Sequence, residues 1–145
     1  MSKVEDFLTE EEEQAIVEAI GMAEKETSGE IRVHIEKTTS KVPYDRALEV
    51  FEQLKMHETH LKNGVLIYLA IADKKFVICG DQGIHDLVGD HFWDSTKEVM
   101  SAQFQTGNFK QGLIDGIAKA GAQLQKYFPF EEGDTNELSN EISKG

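Results

Sequence analysis

Residues 63–79 read NGVLIYLAIADKKFVIC, and this stretch limits the fold more than any other part of the chain. VLIYLAIA (65–72) is an unbroken run of aliphatic, β-branched and aromatic residues. Such a run fits a strand buried on both faces, and it is far too short to span a bilayer. DKK (73–75) leaves no room for a crossover, so FVIC (76–79) returns beside it as the second arm of an antiparallel hairpin. The rest of the chain must therefore supply cover for both faces of a sheet.

Helical patterns supply that cover. Thr9 and Glu12 have the spacing of a capping box, and Ala15, Ile16, Ala19, Ile20 and Ala23 repeat at helical spacing, which predicts a helix over 10–27. TSG (27–29) closes it. EIRVHIEK then alternates: Ile31, Val33 and Ile35 face a core, while Arg32, His34 and Glu36 face solvent, so His34 is expected to be exposed. Pro43 opens a helix over 43–61 carrying Ala47, Leu48, Phe51, Leu54 and Leu61. Strand, helix and strand over 30–71 form a parallel, right-handed crossover. Further helices are expected at 84–105, with a break near Gly89, and at 110–127. Gly112, Gly116 and Gly121 weaken the last helix as a helix, so close packing against a neighbour is the reason to expect them there. Pro129 ends the pattern, and the acidic residues 130–145 are expected to form a disordered tail. The class is α/β, with one domain over 1–129 and helices on both faces of a small mixed sheet.

The formal net charge of −12 argues against a nucleic-acid partner, which would call for a basic stripe. The single cysteine, Cys79, has no disulfide partner and ends an apolar run, so it is expected as a small buried hydrophobe. With no signal-peptide pattern and no membrane-length apolar run, a cytoplasmic protein without membrane insertion is expected. The glycines of GDQG are not followed by a phosphate-binding motif. HETH (57–60) has the wrong spacing for a zinc site, and no serine lies in a nucleophile elbow.

Polar residues converge at one place. If the two crossover strands are parallel and the third runs back, one sheet end collects Glu30, Asn63, Asp81 and the stretch that follows. CGDQGIHDLVGDHFWD (79–94) brings Asp81, Asp86, Asp90 and Asp94, with His85 and His91, and no Lys or Arg lies between Lys75 and Lys97. Phe92 and Trp93 are expected as packing anchors. Crowded carboxylates raise one another's pKa or require a counter-ion, and oxygen-rich loops suit Ca²⁺ or Mg²⁺. The candidate ligands are Glu30, Asp81, Asp86, Asp90 and Asp94. On pattern alone, a plain polar turn between strand and helix stands beside the cation site as an alternative.

TSGEIRVHI (27–35), Ala47-Leu48 with Val50-Phe51, NGVLIYLAIADKKFVICGDQGI (63–84) and FKQGLIDGI (109–117), in this order, resemble the TPM domain family. That family is named for a thylakoid lumen protein, a photosystem II repair protein and a worm receptor-associated protein. The resemblance spans residues 8–128 and implies a three-layer α-β-α sandwich. Two departures are visible. Lys62 and Asn63 stand where relatives carry two acids, and the turn after the hairpin places Asp81 and His85 where relatives have Gly and Glu. Most relatives also carry a leader and a membrane helix, whereas this chain is expected to be a stand-alone domain. The resemblance implies either Ca²⁺ binding in an acidic crevice or a metal-dependent acid phosphatase, the latter with His85 or His91 as the acid. A protein-interaction module using the same crevice, with an unidentified partner, is a further expectation.

Overall fold

A computed structural model describes residues 8–59, 61–88, 91–130, 140 and 142–144. The elements, in chain order, are α1 (Glu10–Glu24), β1 (Glu30–Glu36), α2 (Pro43–Gln53), β2 (Gly64–Ala70), β3 (Lys75–Gly80), α3 (Gln82–Val88), α4 (Asp94–Gln105), α5 (Phe109–Gln125) and β4 (Ser143–Lys144). The sheet is four-stranded, in the order β3-β2-β1-β4. β1 pairs in parallel with β2 and with β4, while β2 and β3 are antiparallel. The fold is therefore the α/β sandwich the sequence implies.

β2 explains the layering. All of its residues are buried, and its side chains alternate between two cores. Val65, Ile67 and Leu69 join Ile16, Ile20, Met100, Leu113 and Ile117 under α1, α4 and α5. Leu66, Tyr68 and Ala70 join Ala47, Val50 and Phe51 of α2 on the opposite face. Cys79 and Trp93 are buried, one in each core. Among the described residues no helix is long and apolar enough to cross a membrane.

Local chemistry sets the ends of the elements. The side chains and backbones of Thr9 and Glu12 bond reciprocally, so the capping box forms and α1 starts at Glu10. The glycines of α5 mark close approaches. A Cβ on Gly121 would stand 2.8 Å from the Cβ of Ala23 in α1, and Cβ atoms on Gly112 and Gly116 would run into Phe104 and Met100 of α4.

Some expectations are corrected. α1 ends at Glu24 instead of residue 27. The helix expected over 43–61 stops at Gln53, because Lys55 takes a left-handed conformation (φ 55°) and a 3-10 turn, Met56–Glu58, follows. Met56 then fills the α2 core, which a continuing helix would have turned away from it. The helix expected at 84–105 starts earlier, at Gln82, and is interrupted as expected, into α3 and α4 with a turn at His91–Trp93; Gly89 and Asp90 lie outside the described residues. Of the tail expected to be disordered, 131–139, 141 and 145 lie outside the described residues, while Ser143 and Lys144 add a strand beside His34 and Ile35.

Candidate functional site

The strand directions bring one end of the sheet together as the hairpin and crossover require. Glu30 pairs with Gly64, and Val65 pairs with Gly80. The ladder runs one step further, because the Asp81 N–H donates to the Gly64 carbonyl at 2.8 Å. The Asp81 carbonyl then accepts from Ile84 N (3.0 Å) and His85 N (3.1 Å), so the same residue ends the sheet and begins α3. Gly83 permits this tight start, since a Cβ there would collide with the Leu61 and Lys62 carbonyls.

One oxygen of the Asp81 carboxylate, Oδ1, accepts from Gln82 N at 2.8 Å. The other, Oδ2, is buried without a hydrogen-bond partner among the described residues. A buried carboxylate oxygen left unpaired is costly. Asp81 lines a crevice of about 390 Å³ between α2 and α3, together with Asp86, His85, His57, Leu48 and Phe51. Asp86 is exposed on α3. Burial, with the charge of Asp81 nearby, pushes the Cys79 thiol up to about 11, so this cysteine is an inert core group at neutral pH.

The other expected ligands lie elsewhere. Glu30 is 3% exposed and faces Glu24 at the end of α1. The Glu24 carboxylate accepts from Ile31 N at 3.0 Å, and burial, with the charge of Glu30, pushes its pKa up to about 8. Two strand spacings, roughly 10 Å, separate the starts of β1 and α3. Asp94 is exposed in the first turn of α4, its carboxylate 3.0 Å from His91 Nδ1. Asp90 lies outside the described residues. Among the described residues no three His, Cys, Asp or Glu side chains gather as a metal-holding group.

A second polar centre escaped the sequence reading. His34, expected to be exposed, is 4% exposed, and Glu36 is 5% exposed. The Glu36 carboxylate accepts from Arg46 Nε and Nη2 of α2, both at 3.0 Å, and from the Tyr68 hydroxyl of β2. His34 Nε2 lies 3.1 Å from Glu36 Oε1, and His34 Nδ1 lies 2.8 Å from Ser143 Oγ of β4. Burial alone would raise the Glu36 pKa, but its bonds to Arg46, Tyr68 and His34 outweigh burial and hold it at about 2. Burial keeps His34 below the usual imidazole range. With every lone pair of Glu36 engaged, the centre works as a clamp joining β1, β2, α2 and β4. The sequence carried one signal for it: Tyr68 stands alone in an aliphatic run, and a buried tyrosine hydroxyl needs a partner.

Comparison with known proteins places this geometry in a family. Residues 1–123 match the TPM domain. The chain is similar to the BA42 protein of the psychrophilic bacterium Bizionia argentinensis, whose NMR structure has 62% sequence identity and a TM-score of 0.94, with 100% of each chain covered. The N-terminal domain of a P. gingivalis protein, at 18% identity and a TM-score of 0.68, shares the fold over 84% of this chain and 79% of that one. No curated protein matches. A family match over most of the folded chain, with a full-length relative of high identity, shows that this chain belongs to the TPM domain family.

Proposed function

We propose that this TPM domain binds a divalent cation, Ca²⁺ ahead of Mg²⁺, in the crevice between the end of β3 and α3. The observation that carries the reading is the buried, unpartnered Oδ2 of Asp81. A hard cation satisfies such an oxygen, and Ca²⁺ tolerates the irregular geometry of a loop site better than Mg²⁺ does. Asp86 lines the same crevice and supplies the second carboxylate. Asp90 is the next acid in the chain. Glu30 and Asp94 contribute charge, without a bond to the ion.

Two carboxylates, with water and backbone carbonyls completing the shell, make a weak site. Its dissociation constant falls in the range of about 10⁻⁴–10⁻³ M. The positive charge that a phosphate ester needs is missing from the crevice, where no Lys or Arg is found among the described lining residues. Phosphatase activity is therefore the less supported reading.

Calorimetric titration with Ca²⁺ tests the proposal. Wild type gives a saturating heat and Asp81→Asn gives none. Absence of heat in wild type, or the same heat in both proteins, would refute it.

A further inference from the structure

β3 is an edge strand, since the sheet order is β3-β2-β1-β4. The bond from Asp81 N to Gly64 O fixes which of its backbone groups face β2. In an antiparallel ladder these groups alternate. With Leu66 opposite Cys79 and Tyr68 opposite Val77, residues 75, 77 and 79 bond to β2. The N–H and C=O groups of Phe76, Ile78 and Gly80 point away from β2; Phe76 and Gly80 are half-buried and Ile78 is 4% exposed. Among the described residues they have no other backbone partner.

A cavity of about 260 Å³ lies along this edge, lined by Ile78 and Gly80 of β3, by Ile84, Val88 and Trp93, and by the polar side chains of Tyr44, His85 and Lys97. It shares Tyr44, Cys79, Gly80 and His85 with the acidic crevice that holds Asp81 and Asp86. Tyr44 and Leu48 of α2 are 52% and 43% exposed beside it. The edge therefore offers three features together: a row of main-chain groups not bonded to β2, a recess in which Ile84, Val88 and Trp93 stand beside Lys97, and an acidic end.

We propose that this edge takes up an extended segment of a partner protein as an added strand. The main chain of the segment pairs with Phe76, Ile78 and Gly80. One apolar side chain enters the recess at Ile84, Val88 and Trp93, and a Lys or Arg sits beside Asp81 and Asp86. Main-chain pairing supplies affinity, and the alternate side chains supply selectivity. Charge decides the class of occupant. At a net charge of −12 a second copy is repelled, while a basic segment is attracted. The Lys or Arg would occupy the carboxylates that the cation reading gives to Ca²⁺, so the test is run in EDTA, where strand addition is read without the ion.

Displayed random peptides are panned against the folded protein. Enriched sequences are expected to alternate β-branched and basic residues and to lack proline at the centre. The best synthetic peptide then slows amide exchange at Phe76, Ile78 and Gly80, while Val77 and Cys79, already bonded to β2, change little. N-methylation of the peptide weakens binding about tenfold or more at residues facing β3, and little at the residues between them. Four results overturn the proposal: no enrichment; protection confined to the Asp81–Asp86 segment; an equal effect of N-methylation at all positions; or protection of the three amides in free protein that grows with its concentration, which would place a second copy on the edge.

Discussion

The N–H of Asp81 donates to the carbonyl of Gly64 at 2.8 Å, so the sheet, and not a loop, sets the position of this aspartate. Its backbone is held by the hairpin while one carboxylate oxygen stays buried without a partner among the described residues. The strain of that arrangement is electrostatic and local. Asp81→Asn keeps the acceptor for Gln82 N and removes the charge. In EDTA the variant is expected to be more stable by about 1 kcal/mol, a rise in Tm of about 2–4 °C. In excess Ca²⁺ the order reverses, because only the wild type gains from binding. Thermal scans in the two buffers check this; a lower Tm for the variant in EDTA contradicts it.

The Glu36 clamp makes a statement about acid stability. Unfolded Glu36 takes up its proton near 4.5, whereas folded Glu36 does so only near 2. The unfolded state thus binds the extra proton between these values, and stability falls as pH drops through that window. Above it the contribution is fully present. Glu36→Gln is expected to cost about 3 kcal/mol at neutral pH, leaving Arg46 without its carboxylate, and to flatten the acid limb below pH 4.5. Urea midpoints at a series of pH values show both effects; an unchanged acid limb contradicts the clamp.

Glu24 has the opposite sign. Burial beside Glu30 raises its folded pKa to about 8 from an ordinary 4.5. Here the folded state holds the proton, so stability is lost as pH rises from about 4.5 to about 8. Glu24→Gln keeps an acceptor for Ile31 N. The variant is expected to match wild type near pH 4 and to be more stable above pH 8. Equal midpoints at both pH values would show that folded Glu24 does not hold its proton above the ordinary carboxylate range.

Gly121 is a packing requirement between α5 and α1. An added Cβ meets Ala23 Cβ at 2.8 Å, and neither atom can rotate away. Gly121→Ala is expected to destabilise by about 1–3 kcal/mol, despite gaining about 1 kcal/mol of helix propensity. Pairing it with Ala23→Gly recovers part of the loss in a double-mutant cycle. At Gly116 the obstacle is the flexible side chain of Met100, so Gly116→Ala costs less. Chemical denaturation of the two single variants, their pair and Gly116→Ala ranks the costs.

Features that depend on neighbours in sequence were legible. The buried run of β2, the hairpin, the Thr9 capping box and the close-packed glycines of α5 each carry a local signature. Features that depend on distant cover were not. Alternation in β1 predicts a solvated face, but Arg46 of α2 and Ser143 of β4 close over His34 and Glu36. The end of α2 was hidden because its left-handed residue is Lys55 and not a glycine. At the candidate site, topology correctly brought Glu30 and Asp81 to one end of the sheet. It could not say that Glu30 turns to Glu24 while Asp81 lines the crevice, because side-chain direction at a strand end depends on packing.

Cation binding at Asp81 is decided by an amide NMR titration with Ca²⁺. Saturable shifts centred on Gly80 to Asp86 are expected in the wild type, with half-saturation at about 10⁻⁴–10⁻³ M, and no such shifts in Asp81→Asn. Shifts scattered over the acidic surface without saturation, or shifts of equal size in the variant, would contradict it.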